Sequence, residues 1–327
     1  MQNKLIVSLS PHIHAPRTTA QCMWNVVIAL LPALAIAIWT FGLPAIYTTA
    51  ISIAACMLCE WLITRFFFHS RPTLANGSAV LTGLLLAFNL PSILPWWMVI
   101  VGAFVAIGIG KMSFGGLGQN IPALVGRVFL LISFPAAMTT WPTGVSSGIN
   151  AISGASADAS SGATFLTTLN AGGVSLDNVD FMDMAIGHMN GSLGEVGSIA
   201  LLVGLAYLLI IRVVTWHIPV AVLGSAAFFS WVFGGNPVLD LFAGGLMLGA
   251  CFMATDYVTS PMSHTGQIIF GVFIGLITII IRRFGAYPEG VSFAILLMNS
   301  FTPLINRYCK PSIFGAREAE KGRRAAV

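Results

Sequence analysis

The chain has 327 residues, of which 57% are hydrophobic and only 8% charged, with a mean hydropathy of +0.89. Soluble domains carry about 25% charged residues, so this composition excludes a water-soluble globular protein. The net charge of +4 is too small to argue for nucleic acid as a partner and matters only through where the charges sit.

A polar opening, MQNKLIVSLSPHIHAPRTTAQ, precedes the first apolar run, which argues against a cleavable signal peptide. Apolar runs then predict ten transmembrane helices, at about 24–41, 43–64, 75–90, 94–111, 120–139, 194–211, 216–234, 238–255, 266–283 and 289–306. The third and eighth are short or broken by Gly and polar residues. They gain support from a repeat at an offset of 170 residues, which lays Pro91 on Pro261 and Phe114-Gly115 on Phe284-Gly285. The same offset lays 94–111 on 264–281 and the first span on 194–211. Identities are few; the agreement is one of hydropathy and helix breakers.

Five spans per half is an odd number, so the second half enters the membrane inverted. In such 5+5 inverted repeats, interrupted helices of the two halves meet near the midplane; here the interrupted segments are LLLAFNLPSILP and MATDYVTSPMSH. The expected organisation is an N-terminal segment with the first repeat (1–140), an external loop (141–193), the second repeat (194–310) and a basic tail (311–327). Basic residues of short loops fall on the cytoplasmic side. With the N-terminus inside, that side collects Lys4, Arg17, Arg65, Arg71, Lys111, Arg212, Arg307, Lys310, Arg317, Lys321, Arg323 and Arg324. Only Arg282 and Arg283 fall outside, against the rule. Both termini are therefore expected inside a cell membrane, with the loop from Trp141 to Asn190, which holds four Asp and no Lys or Arg, on the external side.

Within the spans, Glu60, Arg127 and Asp240 stand out, because ionisable groups in lipid are costly. Each reads equally as a functional group or as half of a structural pair. Asn89, Asn120 and Asn299 fall at the repeat breaks, where a polar pocket for a flavin ring or an ion could form. Cys56-x-x-Cys59 lies inside the second span and reads as two small apolar thiols. His12-x-His14 has no further ligands around it, so no metal is expected. No Walker motif or dinucleotide fingerprint is present, so no nicotinamide site is expected on this chain.

The external loop carries Asp158-Ala159-Ser160-Ser161-Gly162-Ala163-Thr164, a D-x-x-S-G-A-T match to the target of the bacterial flavin transferase, which joins the phosphate of FMN to a hydroxyl. Small residues at Gly162 and Ala163 let the strand enter a second enzyme's active site, and Thr164 supplies the oxygen. Ser153-Gly154-Ala155-Ser156 also ends in a hydroxyl but lacks an Asp three residues before its first Ser. A Ser/Gly-rich linker is the plain alternative.

Together with the N-terminal SPHIHAPRTTAQCMWNVVIALLPA and the stretch GKMSFGGLGQNIPALVGRVFL, in this order, the motif resembles the RnfD/NqrB family. That family comprises the D subunit of the Rnf ion-translocating electron-transport complex and the B subunit of the sodium-pumping NADH:quinone reductase. The resemblance spans essentially the whole chain. It implies a urea-channel-like inverted repeat, FMN bound covalently as a phosphoester on Thr164, often a non-covalent riboflavin, and other Rnf subunits as partners. The implied activity is that of a subunit of a ferredoxin:NAD oxidoreductase coupled to sodium or proton transport. A tether keeps a flavin from being lost to the exterior, while the cofactor supplies the redox chemistry. The rival reading is a stand-alone inverted-repeat channel or secondary transporter, which has no use for a flavinylation motif; a pure scaffold leaves the polar breaks unexplained.

Overall fold

The computed structural model describes residues 18–69, 74–116, 120–142, 161–162, 191–195, 197–285 and 290–310. Among them the chain is helical except for a two-residue ladder. Helix α1 (Thr19–Phe41) opens on a capping box, with the Thr18 hydroxyl accepting from the Gln21 amide and the Gln21 side chain accepting from the Thr18 N–H. Gly42, at φ +68°, ends α1 and turns the chain directly into α2 (Leu43–Phe66), which has Pro44 in its first turn.

Helix α3 (Ser78–Phe88) stops at Asn89, ahead of Pro91. Helix α4 (Trp96–Phe104) follows Pro95 and runs into a π-helix, Val105–Lys111. The expected single span at 120–139 is two pieces, α5 (Pro122–Ser133) and α6 (Pro135–Met138). The cause is local: Pro135 has no N–H to continue the ladder, and Phe134 before it is forced out of helical geometry, at φ −132°, ψ 59°.

The second half begins with α7 (Ser198–Ile210) and α8 (His217–Val232). Where one interrupted span was expected at 238–255, three short pieces follow: α9 (Pro237–Phe242), α10 (Leu246–Leu248) and a π-helix, Gly249–Met253. Helix α11 (His264–Phe284) is capped by Ser263, and α12 (Val291–Tyr308) closes the described chain.

Among the described residues four stretches are long and apolar enough to cross a membrane: Thr19–Phe41, Leu43–Phe66, Trp96–Phe114 and His264–Phe284. Shorter apolar helices are α3, α5, α7 and α8. Large apolar side chains face outward, among them Trp39, Phe67, Ile210 and Trp231, as they do where the surrounding solvent is hydrocarbon. Tryptophans gather near helix ends (Trp24, Trp39, Trp96, Trp97, Trp216 and Trp231), where interfacial belts form.

Inside, one continuous core includes Leu30, Leu86, Phe88, Leu124, Leu201 and Phe270. Lipid supplies no hydrophobic force between helices, so close approach must come from small residues. Gly271 and Gly275 of α11 provide it: a side chain on either would collide with Ala221 or Ser225 of α8. Contacts join α1 to α7 and α5 to α12; α2 packs on α4, and α8 on α11.

Candidate functional site: buried charges where the broken helices meet

The C-terminal end of α3 and the end of the second π-helix meet through Asn89, whose Nδ2 donates to the Leu85 carbonyl and lies 3.9 Å from the Met253 sulfur. The broken end of α3 is capped from elsewhere in the chain. Gly194 N–H donates to the Phe88 carbonyl at 2.8 Å, and Leu193 N–H to the Leu90 carbonyl at 3.4 Å. Carbonyls left over at a helix end need such donors when no water reaches them.

Arg127 of α5, only 5% exposed, reaches into this junction. Its Nη1 donates to Asn89 Oδ1 at 2.8 Å and to Ser292 Oγ of α12 at 2.9 Å, tying both halves to one guanidinium. Glu195, in the stretch that leads to α7, is buried beside it, and Arg127 and Arg282 are the cations that act on its carboxylate. The positive guanidinium lies where two helix C-termini, each with negative dipole character, approach each other.

Two further charge clusters flank the junction. In the first half, Lys111 at the end of the π-helix donates to Glu60 of α2 at 2.5 Å and to Ser78 Oγ of α3 at 2.8 Å. In the second half, Asp240 of α9 accepts from Ser230 Oγ at 2.5 Å and from Arg283 Nη2 at 3.0 Å through Oδ2. Arg282 donates to the backbone carbonyls of Asp240 and Ala243. Glu60, Arg127 and Asp240 thus all stand in paired, hydrogen-bonded settings, and Arg282 and Arg283, the two cations that broke the charge rule, are both tied to Asp240.

A cavity of about 80 Å³ opens near Lys111, bounded by Ser78, Thr82, Asn120, Thr255, Asp256 and Tyr257 among others. Asn120 Oδ1 is buried there without a hydrogen bond. Its size and polar lining suit ordered water; it falls short of the roughly 300–1,000 Å³ of ligand pockets. Asn299 is wholly buried on α12, and neither amide atom has a hydrogen-bond partner.

Of the flavinylation motif, Asp158, Ala163 and Thr164 lie outside the described residues, as do the decoy Ser156 and the His12-x-His14 pair. Ser161 and Gly162 are described: they pair antiparallel with Trp141–Pro142, Trp141 opposite Gly162 and Pro142 opposite Ser161. The motif's backbone is therefore fastened just after α6, beside the buried Trp141. Cys56 and Cys59 are buried free thiols, and among the described residues no group of three metal-ligating side chains occurs.

Sequence reasoning missed Glu195 and mistook Lys111 for a loop cation. The signals were thin: Glu195 is the one charged residue in SLGEVGSIALL, and Lys111 ends the apolar run VAIGIGK.

Apolar helices, outward-facing hydrophobic side chains and paired internal charges define a multi-pass helical membrane protein whose broken helices meet at a buried ionic junction. More particularly, the chain belongs to the NQR2, RnfD, RnfE family, whose sequence profile matches residues 6–315. It is 44% identical to the D subunit of the Na(+)-translocating ferredoxin:NAD(+) oxidoreductase complex of Acetobacterium woodii, covering 98% of each chain. It is 40% identical to the D subunit of the proton-translocating ferredoxin:NAD(+) oxidoreductase complex of Clostridium ljungdahlii, over 97% of this chain and 98% of that one. The D subunit of the ion-translocating oxidoreductase complex of Stutzerimonas stutzeri is likewise 40% identical, over 90% and 91%.

Proposed function

We propose that the chain is a membrane subunit of an ion-translocating ferredoxin:NAD oxidoreductase and carries electrons through FMN esterified to Thr164. The observation that carries this reading is the coincidence of the D-x-x-S-G-A-T motif with near full-length similarity to subunits so named. When bound, the flavin supplies the redox chemistry. The chain's own residues fasten the loop by pairing Trp141–Pro142 with Ser161–Gly162. Other subunits supply the nicotinamide site, a flavin transferase loads Thr164, and a non-covalent riboflavin is kept as a second cofactor without a site assigned to it.

The architecture of this reading is a ten-span, 5+5 inverted repeat with both termini cytoplasmic and the flavin loop external. It is supported by matched packing: the first helices of the halves, α1 and α7, touch, as do the last, α5 and α12, as a two-fold relation requires. Arg282 and Arg283 carry little weight against the orientation, because Asp240 and nearby carbonyls already hold them. Cysteines placed at 150–185 should react with impermeant reagent from outside, and those in the REAEKGRR tail only from inside; labelling of both from one side would overturn the inversion.

The transporter reading draws on the same broken helices, yet it leaves the motif without a purpose. The direct test is co-expression with a flavin transferase and ultraviolet fluorescence of the band in a denaturing gel. Wild-type protein and Ser156→Ala should fluoresce, while Thr164→Val inserts into the membrane without fluorescence. Fluorescence that survives Thr164→Val would remove the assignment.

A further inference from the structure

Glu195 is 6% exposed, and among the described residues its Oε1 is buried without a hydrogen bond. A buried carboxylate oxygen with no donor is costly, and a native structure that keeps one leaves it available to something else. The nearby cations also serve other acceptors. Arg127 donates to Asn89 and Ser292, and Arg282 to the backbone of Asp240 and Ala243.

Between Arg127 and Glu195 lies Gly245, at the start of α10. Its backbone, φ −71° and ψ 16°, is one that any L-residue adopts, so conformation does not call for glycine. The absence of a side chain does leave space. A Cβ built there would lie 3.8 Å from Arg127 Nη1 and 3.9 Å from Glu195 Oε1, with nothing nearer. A methyl-sized space at this position therefore touches both a guanidinium and an unsatisfied carboxylate oxygen.

We propose that this gap holds a water molecule that accepts from Arg127 and donates to Glu195 Oε1, and that Glu195 is a proton-exchange site loaded through it. A metal cation in the gap would sit as close to the guanidinium as to the carboxylate, so attraction and repulsion nearly cancel. A proton needs no such seat: the neutral water in the gap gives a proton to Oε1 as it takes another from hydronium beyond the gap, so each O–H bond formed replaces one broken and a neutral water stays in place. Among the described residues the charged groups that act on Glu195 are Arg127 on α5 and Arg282 on α11, the latter in turn bonded to the Asp240 backbone. Ion translocation gives the site its use and rests on the proposed function; proton binding itself does not, and it can be measured on protein that carries no flavin.

The experiment is infrared difference spectroscopy of the full-length protein in detergent between neutral and acidic buffer, in light and heavy water. A protonated-carboxyl C=O band that shifts in heavy water should appear in the wild type and be lost in Glu195→Gln. In Gly245→Ala the methyl displaces the water while the carboxyl stays, so the band should persist and its hydrogen–deuterium exchange should slow several-fold. The Gly245→Ala result keeps the test informative if Glu195→Gln fails to fold. A wild-type band unchanged by either substitution, or one that sodium suppresses at constant pH and ionic strength, would overturn the assignment.

Discussion

The Glu60–Lys111 pair and the Arg127–Glu195 junction are both buried, but one is complete and the other is not. Lys111 satisfies Glu60 and turns a second proton to Ser78, all within the first half of the chain. Arg127 instead bridges Asn89 of one half and Ser292 of the other, and beside it Glu195 keeps an oxygen without a donor. A closed ion pair within one half holds helices in place. An open one at the seam between halves has capacity left for chemistry, because an unsatisfied buried group responds strongly to a proton or a water.

Substitutions should rank accordingly. The largest effect is expected for Glu60→Leu, which leaves the Lys111 ammonium buried with only Ser78; loss of one partner of a buried pair costs about 3–5 kcal/mol. Thermal unfolding in detergent should show it, and the double variant Glu60→Leu/Lys111→Met should recover most of the loss. If the double variant is as unstable as the single, the pair is not acting as a closed unit.

Asp240→Ala should cost less, about 1–3 kcal/mol, because Arg282 keeps its backbone carbonyls while Arg283 and Ser230 lose their acceptor. A loss equal to that of Glu60→Leu would put the two half-confined clusters on the same footing. The smallest change is expected for Gly245→Ala, within about 1 kcal/mol of wild type, since the methyl meets only ordinary contacts at an ordinary φ. A severe loss there would mean that the gap between Arg127 and Glu195 is closed.

Much of the helix list was legible because lipid imposes long apolar runs and because Pro and Gly mark where they stop. Asn89 ahead of Pro91, and the break before Pro261, were visible as interruptions for that reason. The split at Phe134-Pro135 was equally written in the chain, yet it was hidden by the apolar residues on both sides. The ionic pairing was less legible. Nothing local to Arg282 or Arg283 says that Asp240, some forty residues earlier, holds them, nor that a π-helix rotates Lys111 inward toward Glu60. Glu195 was missed for the same reason: its partners come from α5 and α11, and only the fold brings them together.

The claim that matters most is the ester at Thr164, and the chain offers a clean way to read it. Cleavage before aspartate releases a peptide from Asp158 to Leu176 that contains Thr164, whereas the decoy Ser156 falls in the preceding fragment. From protein produced with an active flavin transferase, the peptide should be heavier by FMN less one water, with fragmentation placing the addition on Thr164. An unmodified Asp158–Leu176 peptide, or FMN on the fragment that holds Ser156, would contradict the account.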